Sequence, residues 1–182
     1  MQFPVKKVYV TQEFGANPAW YEKFNLKGHN GIDLRAFLPN GDRCTKMGES
    51  EVLAPHAGKI IENAYDAGGY GYYVKIENDN EGSVLAHFAA AARAKVGTTV
   101  AAGEVIAYAG STGNSTGLHV HWGYYRCPRQ RQNGYNGFIN QMDLVQAEVV
   151  TDAEPTITIT QKVFEELVTK ATKYDEFVRS GN

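Results

Sequence analysis

His29, Asp33, His87, His119 and His121 are the residues whose types and spacing could do chemistry. They stand as His29-x-x-x-Asp33, a lone His87 and His119-x-His121, and they use four of the chain's five histidines. Imidazole nitrogen and carboxylate oxygen bind zinc well, and a hydrolytic zinc site usually keeps three protein ligands and one open position. Two histidines and one aspartate would leave a charge of about +1 on such a site, which helps to polarise a bound water. The inventory therefore suits three metal ligands with two further histidines beside them to move protons.

The spacing says which elements must carry these groups. Two residues apart on a β-strand, His119 and His121 point to the same face. Val120, Trp122, Tyr124 and Tyr125 are β-branched or aromatic and support that strand. A four-residue spacing would put His29 and Asp33 on one helix face, but Gly28, Asn30 and Gly31 argue against a helix. A turn feeding the strand Ile32-Asp33-Leu34 is expected instead, with Asp33 projecting from it. Either motif alone is weak, because chance matches of this kind are common. Their joint presence in one domain-sized chain, each amid glycine-rich punctuation, is stronger. His56 sits in Val52-Leu53-Ala54-Pro55-His56-Ala57-Gly58 without such a partner, and reads as structural or solvated.

The words around the histidines add more than the spacing does. Gly28-His29-Asn30-Gly31-Ile32-Asp33, Val52-Leu53-Ala54-Pro55 with Gly58, Gly68-Gly69-Tyr70-Gly71, Ala86-His87-Phe88, and the run from Gly110 to His121 occur in that order. In this the chain closely resembles the lysostaphin/LytM-type zinc metallopeptidases of family M23, which cleave peptide bonds in bacterial peptidoglycan. The resemblance covers roughly residues 10–140, and its most specific part is the Gly110–His121 run. It implies that His29, Asp33 and His121 hold zinc and that His87 and His119 form the catalytic pair, with the roles within that pair left open. With all five positions intact, the resemblance favours an active enzyme.

Three departures from the family pattern leave every implied ligand in place. Leu118 stands where proline is common, Tyr72 where asparagine is frequent, and Glu77-Asn78-Asp79 where a further histidine often follows. Residues 35–51 read as an insertion with turn signals, either bordering the cleft or forming a plain surface loop.

The remaining punctuation predicts a mainly β, antiparallel domain over residues 1–146. Strands are expected near Lys7–Val10, Lys59–Ile61, Tyr72–Ile76, Val84–His87, Val105–Tyr108 and His119–Tyr125, with Ala89–Ala94 as a turn or a single helical turn. Residues 147–160 read as an acidic linker with a short strand at Thr156–Ile159, and residues 161–182 as a C-terminal helical segment. In that helix Val163, Phe164, Leu167, Val168, Ala171, Tyr174, Phe177 and Val178 form an apolar stripe, with Thr160 as N-cap and Gly181 just past the end. The stripe either packs back on the catalytic domain or serves self-association or a larger assembly.

Composition sets the outer bounds. A chain of 182 residues that is 43% hydrophobic and 21% charged can build one core, and is too short for two large domains. A net charge of −2 gives no basic footprint for nucleic acid. No stretch is long and apolar enough to span a membrane, and the start of the chain lacks the apolar run of a secretory signal peptide. An extracytoplasmic substrate then implies a phage protein carried by a virion or released through a lesion, a domain of a longer protein, or a signal already removed. Similarity of residues 10–29 to phage and prophage members favours the first two. Cys44 and Cys127 form no CxxC pair; a disulfide between them needs spatial proximity, and free thiols are the expectation. Two alternatives stand beside the endopeptidase: a non-catalytic phage-tail or wall-binding component retaining the fold, and a zinc amidase or carboxypeptidase.

Overall fold

Alternation along the strands sorts the side chains into two faces, and the two faces become a core and a groove floor. In the computed structural model residues 1–149 are described, with side chains as far as 145. The strands are β1 (Val10–Gln12), β2 (Ile32–Arg35), β3 (Glu51–Leu53), β4 (Gly58–Asp66), β5 (Gly71–Glu77), β6 (Glu81–Phe88), β7 (Thr99–Val100), β8 (Val105–Tyr108) and β9 (His119–Arg126). Seven of them form one sheet in the order β1-β2-β9-β6-β5-β4-β7, while β3 and β8 pair separately. All the pairings are antiparallel.

One face of the large sheet carries Ile32 and Leu34 of β2, Val120 and Trp122 of β9, Leu85 of β6, and Val74 and Ile76 of β5, all fully buried in the main core cluster. Such β-branched and aromatic residues suit a pleated, covered surface. Residues one step out of phase, Asp33 on β2 and His121 on β9, face the other side. Asp33 pairs with His121 across β2 and β9, and His121 pairs with Ala86 across β9 and β6. Residues directly opposite in an antiparallel pair share a face, so this row fixes the floor of the groove.

The fold matches the expected mainly β, antiparallel class, and the six long strand expectations fall on observed strands or beside them. The lead-in strand lies at Val10–Gln12 rather than Lys7–Val10. Ala89–Ala94 forms bends without helix. Two short helices were not anticipated: α1 (Pro18–Tyr21), continued by a 3-10 turn over Glu22–Phe24, and α2 (Met142–Val149). The inserted segment 35–51 is pinned by a Phe37–Arg43 bridge and by Lys7 Nζ donating to the Gly41 carbonyl at 2.8 Å. No residue between 36 and 50 lines the groove, so the insertion is a surface loop. Cys44 and Cys127 are both free. The expected strand at 156–159 and the helical segment at 161–182 lie outside the described residues. Among the described residues no helix is long and apolar enough to cross a membrane.

Candidate metal centre and its groove

Three side-chain atoms converge on the floor row. His29 Nε2 lies 2.9 Å from His121 Nδ1 and 3.2 Å from Asp33 Oδ1, and His121 Nδ1 lies 3.1 Å from the same Asp33 oxygen. All three residues are buried. Among the described residues they form the one cluster of metal-ligating groups. A tetrahedral zinc at about 2.0–2.1 Å from each ligand needs its ligand atoms roughly 3.3 Å apart, so the triangle fits the ion to within a few tenths of an ångström. The opposite nitrogen of His29, Nδ1, donates to the Glu13 carbonyl at 3.1 Å. That bond places the proton on Nδ1 and turns the Nε2 lone pair inward, as a metal ligand requires. Two imidazole lone pairs and a carboxylate oxygen packed together out of water are a donor set for a cation.

The electrostatics agree. Burial raises the Asp33 carboxyl, but the ring nitrogens of His121 and His29 set against it outweigh that effect and hold the group far below the ordinary carboxylate range. Burial drives the His121 imidazole down towards its neutral form, against the pull of Asp33. Neutral imidazole beside ionised carboxylate is the protonation state that binds a metal.

His87 and His119 stand beside this triangle with their rings 4.7 Å apart. His119 Nε2 is 3.6 Å from Asp33 Oδ2. Its Nδ1 donates to the Gly117 carbonyl at 2.8 Å. His87 Nδ1 donates likewise to the Thr112 carbonyl at 2.8 Å. Both rings are therefore held in the tautomer that leaves Nε2 unprotonated and free to exchange a proton. Burial, followed by the fields of His121 and His119, lowers the His87 pKa to about 3.

How His87 reaches the site is not a matter of alternation. Ala86 shares the face of His121, so a regular strand would send His87 into the core beside Leu85. A register irregularity between Tyr72 and Val74, where β5 pairs with β6, and a left-handed backbone at His87 (φ 64°) turn its ring over to the groove. Bulges of this kind re-aim side chains next to active sites.

A model of peptidase family M23 matches residues 27–135. The chain belongs to peptidase family M23. A Haemophilus influenzae protein described as an uncharacterized metalloprotease is 39% identical over 125 residues. That match covers 68% of this chain and 24% of the relative, so the chain spans about a quarter of the relative's length. Lysostaphin from Staphylococcus simulans shares the fold, with a TM-score of 0.60 at 21% identity over 88% of this chain and 60% of that one. A zinc-containing peptidase from Vibrio cholerae superposes with a TM-score of 0.56 at 26% identity, over 77% of this chain and 38% of that one.

In this M23 chain the sequence-selected residues come together as a group: His29, Asp33 and His121 in the triangle, His87 and His119 beside it. His56 stays apart. It is buried, with Nε2 3.0 Å from Ser83 Oγ and Nδ1 3.0 Å from the Ala57 carbonyl, so the structural of its two readings holds.

Several groove residues escaped the sequence reading. Tyr21 stacks on His29 at 5.3 Å with its hydroxyl accepting from Gln12 Nε2 at 3.0 Å, and burial followed by the field of Asp33 pushes its pKa up to about 12. Tyr70 lies 5.5 Å from the His121 ring, and its hydroxyl accepts from Asn30 Nδ2 at 3.1 Å. The Gly-Gly-Tyr-Gly turn that holds Tyr70 was the available signal for it; the four-residue helix that carries Tyr21 has no periodicity to read. The groove itself measures about 1760 Å³ and runs past all five site residues.

Proposed function

We propose that this chain is a zinc-dependent endopeptidase that hydrolyses peptide bonds of bacterial peptidoglycan. His29 Nε2, Asp33 Oδ1 and His121 Nδ1 are its metal ligands, and His87 and His119 its proton-handling pair. The observation that carries the reading is the buried triangle with two tautomerically fixed imidazoles beside it, open to a groove long enough for an extended peptide. Zinc, when bound, acidifies a water and polarises a carbonyl. The chain's own contribution is positional. The Thr112 and Gly117 carbonyls hold the His87 and His119 rings with Nε2 unprotonated. One ring accepts a proton at Nε2 as the nucleophile forms, and the other, once protonated, donates to the developing oxyanion or the leaving amine. Membership of family M23 and the lysostaphin-like fold support the wall as substrate. Delivery by a virion, release by a phage, or membership of a longer protein, the alternatives expected from the sequence, belong to the same proposal.

The test separates metal from chemistry. D33A or H29A should lose stoichiometric zinc by elemental analysis, whereas H119A should keep it and lose wall clearing in a turbidity assay. Full zinc occupancy in the first pair, or wild-type clearing by the last, would overturn the assignment. Release of new amino groups from purified walls distinguishes an endopeptidase from a binding component, which liberates none.

A further inference from the structure

The groove carries two cations with no anion set against them. Lys27 and Arg131 both line it and both are exposed. Among the described residues neither enters an ion pair; those present use Lys6, Lys75 and the site histidines. Arg131 Nη1 reaches only the Asn136 side-chain oxygen, at 3.5 Å. The fold joins the two segments that carry them. Lys27 N donates to the Gly134 carbonyl at 2.9 Å. The Lys27 stem lies so close over Gly134 that an added Cβ there would meet its Cδ at 2.5 Å. The 3-10 turn Arg131–Asn133 leads directly into that glycine.

The acidic groups of the groove are placed differently. Asp66 accepts from the Gly68 and Tyr70 amides with its two oxygens, and Asp33 sits among the imidazoles. Glu22 is exposed in the 3-10 turn after α1. Beside it on the same stretch, Trp20 and Phe24 line the groove with 44% and 41% of their surface exposed.

We infer that Lys27 and Arg131 form a carboxylate subsite that selects an acidic stem peptide over an oligoglycine bridge as the substrate; this rests on the peptidase reading above. A guanidinium and an ammonium that line one groove without an ion pair attract a carboxylate and give charge-assisted hydrogen bonds to it. An oligoglycine bridge offers no side-chain carboxylate to these cations and no aliphatic stem to Trp20 and Phe24. A stem peptide offers both.

The experiment uses the zinc-loaded chain and three fluorescein-labelled probes: an acidic stem peptide, the same peptide with its carboxylates converted to carboxamides, and pentaglycine. Initial anisotropy gives binding, and chromatography of the same samples gives cleavage. The acidic peptide should bind about five- to tenfold more tightly than its carboxamide, the range of one charge-assisted contact. A K27Q/R131Q double variant should bring that ratio near one, with carboxamide affinity and zinc content unchanged. Equal wild-type affinities, an undiminished ratio in the variant, or preferred binding and cleavage of pentaglycine would each overturn the subsite. Acidic preference in binding without cleavage of any probe would instead remove the peptidase reading and leave the subsite standing. Cleavage without preference would do the reverse.

Discussion

Gly31 lies against the ring of His121: a methyl group on its Cα would stand 2.7 Å from Cε1 and 2.9 Å from Nε2. The same methyl would meet the Trp122 carbonyl at 2.5 Å. The glycine therefore does more than open the turn between His29 and Asp33. It allows β2 and β9 to close until His121 Nδ1 and Asp33 Oδ1 are 3.1 Å apart. G31A should push His121 off its position and weaken metal binding at least tenfold, in line with the usual effect of disturbing the groups that orient a ligand. Competition against a chromogenic chelator reads this directly, and unchanged affinity would contradict it.

Thr112 couples the loop before β9 to the strand that carries His87. Its hydroxyl donates to the Phe88 carbonyl at 2.8 Å and accepts from the Tyr72 amide at 3.0 Å, while its own carbonyl receives the His87 Nδ1 proton. T112V keeps the shape and removes the two hydroxyl bonds. The Tyr72 amide is then left without that acceptor, at about 1–3 kcal/mol, and the carbonyl that orients His87 is released. The expected result is a fall in kcat of about tenfold with zinc content unchanged. A variant whose kcat equals wild type would show that the loop holds the carbonyl without its side chain.

Much of the site was legible in the sequence because it rests on short-range regularities. The two-residue period carried His119 and His121 to one face, and the glycines around His29 excluded a helix. What stayed hidden depends on partners far along the chain. The pairing of Asp33 with His121 spans 88 residues, and nothing local fixes such a register. Alternation would have placed His87 in the core; the bulge that rescues it is set by where β5 meets β6. Strands β3 and β7, of three and two residues, are too short to show a period and exist through their partners β8 and β4. The groove cations were unreadable for the same reason, since Lys27 and Arg131 come to line one groove only through the fold.

A pH test falls on Glu62, where β4 pairs with β5. Glu62 accepts from both Tyr73 Oη and Lys75 Nζ. Partial burial raises its carboxyl, but these bonds and the Lys75 charge lower it further, to below its ordinary value of 4.5. A depressed folded-state pKa contributes stability that is present above the unfolded value and lost as pH falls through the folded one. With the carboxylate 37% exposed, solvent screening keeps that contribution below about 1 kcal/mol. E62Q should thus lower Tm at pH 7 by at most about 2–4 °C. The difference should disappear well below the carboxylate range, where the wild-type pair is itself discharged. Calorimetry at both pH values checks this; a penalty that persists in acid would mean that packing, not charge, is lost.

Ser83 joins two buried groups that no other residue serves in the same way. Trp122 Nε1 donates to Ser83 Oγ at 3.1 Å, and the hydroxyl in turn donates to His56 Nε2 at 3.0 Å, while His56 Nδ1 donates to the Ala57 carbonyl. Ser83 and Trp122 are fully buried and His56 nearly so, so no water replaces a lost bond cheaply. The indole lies next in sequence to His121, yet on the opposite face of β9. S83A strands the indole N–H and the His56 lone pair, and should destabilise the chain by about 1–3 kcal/mol for each group left unsatisfied. Because the network lies on the core side of the sheet, the protein that remains folded should bind zinc and turn over as wild type does. Urea denaturation alongside activity per folded molecule separates the two effects. A loss of turnover at unchanged stability would place His56 in the chemistry after all, and a loss of neither would mean that the core closes over the gap.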